Sequence, residues 1–359
     1  MRRRHFLLLL IPLGLCSNVG TRATAQDDGR IRVTVNLVQL NVAVTDSKGR
    51  YISGLNPENF IISEDRIPQK IATFEEGNGP TRSLIDSPSA DTPLTSAAIK
   101  TVEPGSSPTS HSTGQVELSQ LNGANVFILF DTSNYMYRGF ALAQDSIADF
   151  VRSLEDANKI AFYSYSRDLS RAATLTSNRD LVLRGVRGTV AGDDAALYNC
   201  LLLTVKDTAR YTGRKVIVVF SNGPDNASLV PPEDVAELAQ STGTIIYMIS
   251  TRAAQSEPVS TTTFERMSKA TGGKAYFAKS WRDEARAFAS IRDDLAHLYT
   301  FSYYPAANPN QGWRSITVKL AGKDLQKYRV RTRDGYRLLQ HAQLASGQSP
   351  VSAMEPDPQ

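Results

Sequence analysis

Residues 126–135 read VFILFDTSNY, an unbroken apolar run that ends at an acid followed by hydroxyl and amide side chains. A strand with apolar residues on both faces is typical of a parallel sheet that helices cover on either side. Two later runs, VIVVF at 216–220 and TIIYMI at 244–249, have the same character. The three runs predict the central strands of one sheet.

Helical patterns separate these strands along the chain. An apolar stripe at helical spacing covers residues 140–154, as expected of a helix that packs on the sheet. The spacing of apolar residues predicts further strands at 160–165 and 275–277 and further helices at 194–210, 232–240, 263–270 and 283–298. This alternation predicts an α/β fold with a doubly wound, mainly parallel sheet over residues 121–298.

Short strands flank this region on both sides. Four are predicted in residues 30–76, at about 33–37, 38–44, 60–63 and 69–74 with a turn at 64–66, and three in residues 299–338, at 301–304, 315–320 and 328–333. Each set is too small for a stable sheet domain, whereas together they make about the seven strands of an immunoglobulin-like sandwich. We therefore predict one β-sandwich built from both flanks, with the α/β domain inserted between them.

Two segments have a composition that cannot bury a core. Residues 79–120 are dominated by Pro, Ser and Thr, and no aromatic residue occurs between Phe74 and Phe127. The Pro- and Ser-containing residues 339–359 are similar. We predict a disordered linker at 79–120 and a disordered tail at 339–359.

The first 25 residues have the features of an export signal. A basic start leads into an apolar run at 6–16, and Ala23-Thr24-Ala25 supplies small residues for cleavage. The chain is therefore expected to be exported to the periplasm, the cell envelope or the medium, and Arg3-Arg4 leaves the twin-arginine route open. No later apolar stretch has the length of a membrane-spanning helix, so the mature chain is predicted to lack one.

Charge and reactive residues narrow the class of function. The formal charge of +4 comes from the predicted signal, because the rest of the chain balances and has no basic cluster of the kind that binds nucleic acid. Cys200 lies among apolar residues at helical spacing and is expected to be a buried, inert thiol. No histidine has a second histidine or a thiol near it in sequence, so the chain is predicted not to be an enzyme. The acid pair Asp293-Asp294 is expected to be solvated surface charge.

Three segments place polar residues beside the predicted strands: DTSNYM at 131–136, GDDAALY at 192–198 and FSNGPDN at 220–226. In an open α/β sheet, ligands bind at the carboxyl ends of the strands. Over residues 121–298, the strand order and these three loops resemble the von Willebrand factor type A (VWFA) domain. The flanks resemble the acidobacterial VWFA-related proteins at Gly54-Leu55…Phe60, Gln69…Phe74 and Arg333-Asp334-Gly335-Tyr336.

The resemblance implies a metal-ion-dependent adhesion site, in which the first loop carries Asp-x-Ser-x-Ser, the second a Thr and the third an Asp. Asp131 and Ser133 match this pattern, whereas Tyr135, Ala195 and Asn222 stand at the other three positions. Mg²⁺ requires about six oxygen ligands in an octahedron. The substitutions therefore predict a degenerate site.

The predicted remnant of that site consists of Asp131, Ser133 and Asn222, with Asp193 and Asp194 as candidate compensating ligands. No cofactor is expected, and Mg²⁺ is kept as the alternative. The resemblance further implies a protein partner that binds at these loops, where tyrosine is favoured at binding hot spots. The candidate contact residues are Thr132, Asn134, Tyr135, Tyr137, Pro224 and Asp225.

These observations predict an exported, non-enzymatic binding or adhesion protein whose contact surface is the loop edge of the sheet. Two alternatives stay open at this point. One is a Mg²⁺-dependent adhesion protein with an altered but intact site, and the other is an envelope-structural module that binds through its β-sandwich. The sequence predicts neither the partner's identity nor the oligomeric state.

Overall fold

The computed structural model describes residues 37–84, 123–154, 157–251 and 258–338. The predicted signal peptide, residues 85–120 of the predicted linker and the predicted tail lie outside these ranges. None of the helices within them is long and apolar enough to cross a membrane.

The central element is a six-stranded sheet with helices on both faces. Its strands are β6 (Ala124–Asp131), β7 (Ala157–Tyr165), β8 (Leu169–Thr176), β9 (Arg214–Ser221), β10 (Thr244–Ser250) and β11 (Ala275–Phe277), in the order β11-β10-β9-β6-β7-β8. All neighbours are parallel except β7 and β8. The predicted doubly wound, mainly parallel sheet is confirmed.

Six helices in the described residues enclose this sheet: α1 (Phe140–Ser153), α2 (Arg179–Arg187), α3 (Leu197–Thr208), α4 (Pro232–Thr242), α5 (Pro258–Ala270) and α6 (Trp281–His297). Successive residues of β6 point to opposite faces. Ile128 therefore packs in a cluster with α1, α2 and α6, and Leu129 packs in a second cluster with α3, α4 and α5. Burial on both faces explains the unbroken apolar run from which the strand was predicted.

One part of the α/β domain was not predicted from the sequence. Residues 169–176 form the edge strand β8, and residues 179–187 form α2, which begins at the capping side chain of Asn178. A connection of only three residues, 166–168, joins β7 to β8, so the two strands are antiparallel. Most of β8 is exposed at the edge, so it lacks the apolar run of the central strands.

The two flanks form the predicted β-sandwich. Its strands are β1 (Val38–Thr45), β2 (Phe60–Glu64), β3 (Ile67–Pro68), β4 (Ile71–Glu76), β5 (Arg82–Ser83), β12 (Tyr299–Tyr303), β13 (Trp313–Leu320), β14 (Arg329–Arg331) and β15 (Gly335–Arg337). One antiparallel sheet has the order β14-β1-β12-β4-β5 and the other β15-β13-β2-β3. Both sheets combine strands from the two ends of the chain. The sandwich therefore cannot form from either flank alone.

Strand pairing extends into the segment that the sequence assigned to the linker. Arg82 in β5 pairs with Phe74 in β4, and its guanidinium lies over the Phe74 ring at 4.9 Å. The backbone N–H of Leu84 also donates to Ala72 O at 2.8 Å. Residues up to Leu84 therefore belong to the sandwich.

Buried charges join the sandwich to the α/β domain. Arg214, at the start of β9, donates to Glu75 of β4 at 2.8 Å, and the pair is almost wholly buried. At a second point, Arg331 of β14 donates to both carboxylate oxygens of Asp294 on α6 at 2.5 Å. Each contact links one part of the fold to the other through a pair of opposite charges.

The expectation that Asp293 and Asp294 are both solvated is wrong for Asp294. Its side chain is fully buried and also accepts a hydrogen bond from Tyr247 at 2.6 Å, with Lys274 Nζ at 3.7 Å. Asp293 is exposed beside Arg292, as expected. Adjacent residues on a helix point in different directions, and the sandwich covers only one of them.

The adjacent acids provide a matched test of this junction. We expect Asp294→Asn to lower the free energy of unfolding by roughly 3–5 kcal/mol, because Arg331 and Lys274 lose their buried counter-charge. Asp293→Asn should change it by about 0.5 kcal/mol or less. Urea unfolding of the two variants at pH 7 checks both values. Equal effects of the two substitutions would contradict the assignment.

The same pair should show a pH signature. Burial alone would raise the pKa of Asp294, but the charges of Arg331 and Lys274 outweigh it and lower the pKa. A carboxyl whose pKa is lowered by folding stabilises the fold above its unfolded pKa, about 4, and loses that effect as the pH falls through its folded pKa. The stability difference between wild type and Asp294→Asn should therefore be constant above about pH 5 and shrink below about pH 4.

Candidate functional site

Four loop segments meet at the carboxyl ends of β6, β7 and β9, and we call them the loop face: residues 132–137, 166–168, 189–196 and 222–231. Backbone hydrogen bonds connect them. Gly192 N–H donates to Thr132 O at 2.7 Å, and Asn134 N–H donates to Asp193 O at 2.8 Å. Ala196 N–H donates to Ser166 O at 2.8 Å. The segments therefore form one continuous surface.

Asp131 lies at the centre of the loop face and is fully buried. One carboxylate oxygen accepts the N–H of Ser133 at 2.9 Å, and the other accepts the hydroxyl of Ser221 at 2.7 Å. Ser221 Oγ in turn accepts the hydroxyl of Tyr165 at 3.1 Å. Burial raises the pKa of Asp131, and the hydrogen bonds from Ser133 and Ser221 oppose this rise. Protein groups thus supply donors to both oxygens of the carboxylate.

Sequence reasoning missed two members of this hydrogen-bond chain. Ser221 is the last residue of β9, directly before the predicted ligand Asn222, and Tyr165 is the last residue of β7. The position of a polar residue at the carboxyl end of a predicted buried strand was the available signal. Neither residue type belongs to the metal-site pattern, so the resemblance did not point to them.

Two oxygens beside Asp131 lack a partner. Ser133 Oγ and Asn222 Oδ1 are both buried and have no hydrogen bond within the described residues. Ser133 follows Asp131 by two residues on the first loop, and Asn222 follows Ser221 on the third. A buried polar atom without a partner is costly and requires an explanation.

The two candidate compensating acids do not join this centre. Asp194 accepts a hydrogen bond from Asn226 Nδ2 at 3.2 Å and lies 3.5 Å from Arg167. Asp193 is exposed and contributes its backbone carbonyl to the loop contact with Asn134. Asp194 is therefore paired with groups on other loops, and Asp193 faces solvent.

Two of the predicted partner-contacting residues have internal roles. Thr132 is buried, and its hydroxyl donates to Tyr165 O at 2.9 Å. Asp225 accepts the N–H of Tyr198 at 3.0 Å and that of Ser228 at 2.9 Å, so its carboxylate satisfies donors at the start of α3. Thr132 and Asp225 stabilise the loops, and we leave them out of the contact surface.

Exposed apolar side chains surround the centre. Tyr135 and Tyr137 on the first loop are 44% and 55% exposed, while Met136 between them is buried. Val190 is 79% exposed and Leu229 is 94% exposed. Sequence reasoning predicted the two tyrosines but missed Val190 and Leu229, because loop residues have no periodicity that separates core from surface. Asn134 is also exposed, and Pro224 is partly buried.

The loop that carries Leu229 is held in place by α3. Asn199 Oδ1 accepts the backbone N–H groups of Leu229 and Val230, both at 3.1 Å, and Asn199 N–H donates to Ser228 Oγ at 3.0 Å. Asn226 Oδ1 also accepts the N–H of Ala195 at 2.8 Å. The loop therefore presents an exposed leucine from a backbone that is fixed at several points.

The residues present do not fit the metal site that the resemblance implies. Ala195 has no oxygen to offer from its side chain, and the Tyr135 side chain is turned outward. Asp131 is the sole carboxylate among the five motif positions, and both of its oxygens already accept hydrogen bonds. No group of three or more His, Cys, Asp or Glu side chains among the described residues could hold a metal ion. A divalent cation needs more charge and more oxygens than this set supplies.

Two other reactive residues lie away from the site. Cys200 is buried in α3, and burial raises the pKa of its thiol to about 12. His297 Nδ1 lies 2.6 Å from Asp293 O, and its ring stacks on Tyr51 at 5.0 Å. Neither side chain is placed for catalysis at the loop face.

The sequence matches the family model of the von Willebrand factor type A domain over residues 125–291. No curated protein matches the chain. The solved structures similar to it have low sequence identity, and we describe three of these proteins below.

The vWF domain of the type V pili tip protein Mfa5 from Porphyromonas gingivalis is 12% identical, with 48% of this chain and 94% of that chain covered and a TM-score of 0.42. For a longer fragment with three N-terminal domains of Mfa5, the chain covers 20% of the fragment. BatB from Bacteroides thetaiotaomicron is 14% identical, with 48% and 97% covered and a TM-score of 0.41. Proximal thread matrix protein 1 from the mussel byssus, with a zinc-occupied MIDAS motif, is 15% identical, with 48% of each chain covered and a TM-score of 0.41.

Substitution of two serines compares a hydroxyl that is hydrogen-bonded, that of Ser221, with one that is not, that of Ser133. Ser221→Ala should lower the free energy of unfolding by about 1–3 kcal/mol, because Asp131 and Tyr165 each lose a buried partner. Ser133→Ala removes a hydroxyl without a partner and should cost about 0.5 kcal/mol or less. Urea unfolding measures both. A Ser133→Ala cost as large as that of Ser221→Ala would show that Ser133 Oγ has a partner in solution.

The matched family model extends from β6 into α6, and the observed sheet is the predicted doubly wound, mainly parallel sheet with the unpredicted strand β8 at its edge. Domains of this family mediate protein–protein interaction and adhesion, and some of them bind a metal ion. The chain therefore contains a von Willebrand factor type A (VWFA) domain at residues 125–291.

Proposed function

We propose that this chain is an exported, non-enzymatic protein that binds another protein through the loop face without a divalent cation. The observation that carries the proposal is the set of exposed apolar side chains on the loop face, with Leu229 and Tyr137 as its main members. Tyrosine is enriched among the residues that dominate the binding energy of protein interfaces, and an exposed leucine adds apolar surface that a partner would bury.

The stiffness of the loops supports the proposal. The backbones of residues 189–196 and 222–231 are tied to each other and to α3 by the hydrogen bonds described above. An anchor that is already held in position loses little conformational entropy when a partner binds. Leu229 is 94% exposed, so its side chain contributes little to the core. A partner that meets the loop face would bury this apolar surface.

The chemistry of the centre supports a role other than catalysis. Each carboxylate oxygen of Asp131 accepts a hydrogen bond from a protein donor, and Cys200 and His297 lie outside the loop face. Neither the nucleophile–base pair nor the base–orienter pair of a hydrolytic site is present among the described residues of the loop face. The hydrogen bonds of Asp131 with Ser133 and Ser221 instead connect the first and third loops.

The comparisons support an envelope setting. Mfa5 is described as a pili tip protein, and a further structural neighbour is an aerotolerance-related membrane protein from Bacteroides fragilis. Together with the predicted signal at residues 1–25, these descriptions favour a protein that acts at the cell envelope or outside the cell. We propose adhesion or assembly at the envelope as the setting of the interaction.

A divalent-cation-dependent site is the second candidate, since Ser133 Oγ and Asn222 Oδ1 are buried oxygens without partners. We expect calorimetric titration with millimolar Mg²⁺, Mn²⁺ or Ca²⁺ to give no saturable heat, because the five motif positions supply one carboxylate and too few further oxygens for a divalent cation. The melting temperature should likewise be the same in EDTA and in Mg²⁺.

A variant that restores the motif is the matched control for this titration. Tyr135→Ser, Ala195→Thr and Asn222→Asp together supply the missing hydroxyls and carboxylate. The triple variant should gain saturable Mg²⁺ binding and a higher melting temperature in Mg²⁺. Saturable binding by the wild-type chain would overturn the cation-independent proposal.

Substitutions on the loop face test the contact surface. We expect Leu229→Ser and Tyr137→Ser each to weaken capture of the partner from an envelope extract by at least about 5-fold, which corresponds to the roughly 1 kcal/mol that only a minority of interface residues exceed. Leu203→Ser is the control on the VWFA domain, because this leucine is exposed on α3 outside the loop face. Tyr304→Ser is the control on the sandwich.

Affinity capture with quantitative mass spectrometry measures the bound partner for all four variants. Unchanged capture by the loop-face variants together with loss in Tyr304→Ser would place the contact on the β-sandwich. That outcome would replace the proposal with the envelope-structural alternative.

A further inference from the structure

The loop face carries more acidic than basic side chains. Its four segments contain the acids Asp168, Asp193, Asp194 and Asp225, with Arg167 as the one basic residue in these described stretches. Arg167 lies 3.5 Å from Asp194, and Asp168 and Asp193 are exposed. A partner that meets this surface approaches an anionic field and gains most if it carries positive charge.

The centre of the same surface offers hydrogen-bond acceptors. Within the described residues, Ser133 Oγ and Asn222 Oδ1 have no hydrogen-bond partner. Asp131 is the last residue of β6, two residues before Ser133, and it accepts the hydroxyl of Ser221, the residue before Asn222. A carboxylate has about four lone-pair positions, and the described donors, Ser133 N–H and Ser221 O–H, use two of them. Three oxygens from two strand ends are thus ready to accept hydrogen bonds from a donor that the chain does not supply.

An ammonium group matches this set of acceptors. It carries three N–H donors and no acceptor, and it supplies a positive counter-charge to the Asp131 carboxylate. Lysine delivers this group on a narrow, four-carbon stem, whereas the guanidinium of arginine is broad and planar. Lysine therefore presents its charge and its three donors to the buried acceptors in the more compact group.

The apolar side chains around the centre define the neighbours of that lysine. Tyr137, Val190 and Leu229 are exposed on three different loops of the face. A basic residue flanked by apolar residues would place its charge near Asp131 and its neighbours on these side chains. Charge and apolar contact would then come from one short segment of the partner.

Resting on the proposed function, we infer that the loop face recognises a protein segment with a lysine flanked by apolar residues, and that the ammonium binds at Asp131, Ser133 and Asn222. The lysine ammonium of the partner thus supplies the positive charge at the centre of the loop face. The interaction is therefore independent of divalent metal and has the opposite polarity to one in which a partner's acid binds a metal ion.

Two peptide-display libraries test this inference on the full chain. Both display the same 12-residue design with randomised apolar flanks, and the central residue is Lys in one and Glu in the other. Selection is performed in EDTA and again in Mg²⁺. We expect the Lys library to enrich at least about 10-fold over the Glu library in both conditions, and the selected peptides to bind more weakly as NaCl rises from about 50 to 500 mM.

Variants of the chain then locate the ammonium. Ser133→Ala and Asp131→Asn should each lower the affinity for the best Lys peptide at least 5-fold. Replacing the central lysine of that peptide by methionine should lower the affinity by the same amount. Ser133→Ala keeps the backbone N–H that donates to Asp131, so its melting temperature should change little while binding falls. Unchanged binding in both variants would overturn the assignment of the ammonium to Asp131.

The remaining outcomes separate this inference from the proposed function. Enrichment of the Glu library in Mg²⁺, with binding that is lost in Leu229→Ser, would overturn the lysine specificity and leave the loop face as the contact surface. Peptides that bind Leu229→Ser and Tyr137→Ser as well as wild type would overturn the loop face itself.

Discussion

The buried ion pair between Asp294 and Arg331 constrains the rest of the structure. Asp294 lies on the last helix of the VWFA domain, and Arg331 lies on a strand of the sandwich. A buried charge without its partner is strongly destabilising, so the two parts must meet in an arrangement that pairs them. The Arg214–Glu75 pair imposes the same condition at a second point. The sheet of the VWFA domain and the sandwich are thereby held together as one structure.

Inside the loop face, a chain of hydrogen-bonded hydroxyl groups holds the buried carboxylate of Asp131. Tyr165 donates to Ser221, and Ser221 donates to Asp131, so the carboxylate receives its donors from the protein. This arrangement explains how Asp131 can stay while hydroxyl and carboxylate positions of the metal-site pattern are replaced. The loops then keep their geometry, and the exposed Leu229 and Tyr137 become the features that a partner would meet.

Much of the fold could be predicted from the sequence, because strands buried on both faces need unbroken apolar runs such as residues 126–130 and 216–220. The edge strand β8 was missed because exposure removes that signal. At the candidate site, Asp131, Ser133 and Asn222 could be predicted from the resemblance. Ser221 could not, since its role depends on a hydrogen bond across 90 residues of sequence.

By itself, the sequence determined the class of fold, the β-sandwich shared by both flanks and the replaced positions of the metal-site pattern. These features follow from local periodicity and from residue type, which need no knowledge of distant neighbours. The tertiary structure alone decided that Asp294 is buried and Asp293 is not. It also decided that Asp131 accepts the hydroxyl of Ser221, while Ser133 Oγ has no hydrogen-bond partner within the part of the chain that the structure describes. Burial and hydrogen bonding depend on which elements pack together, and residues far apart in the chain supply those contacts.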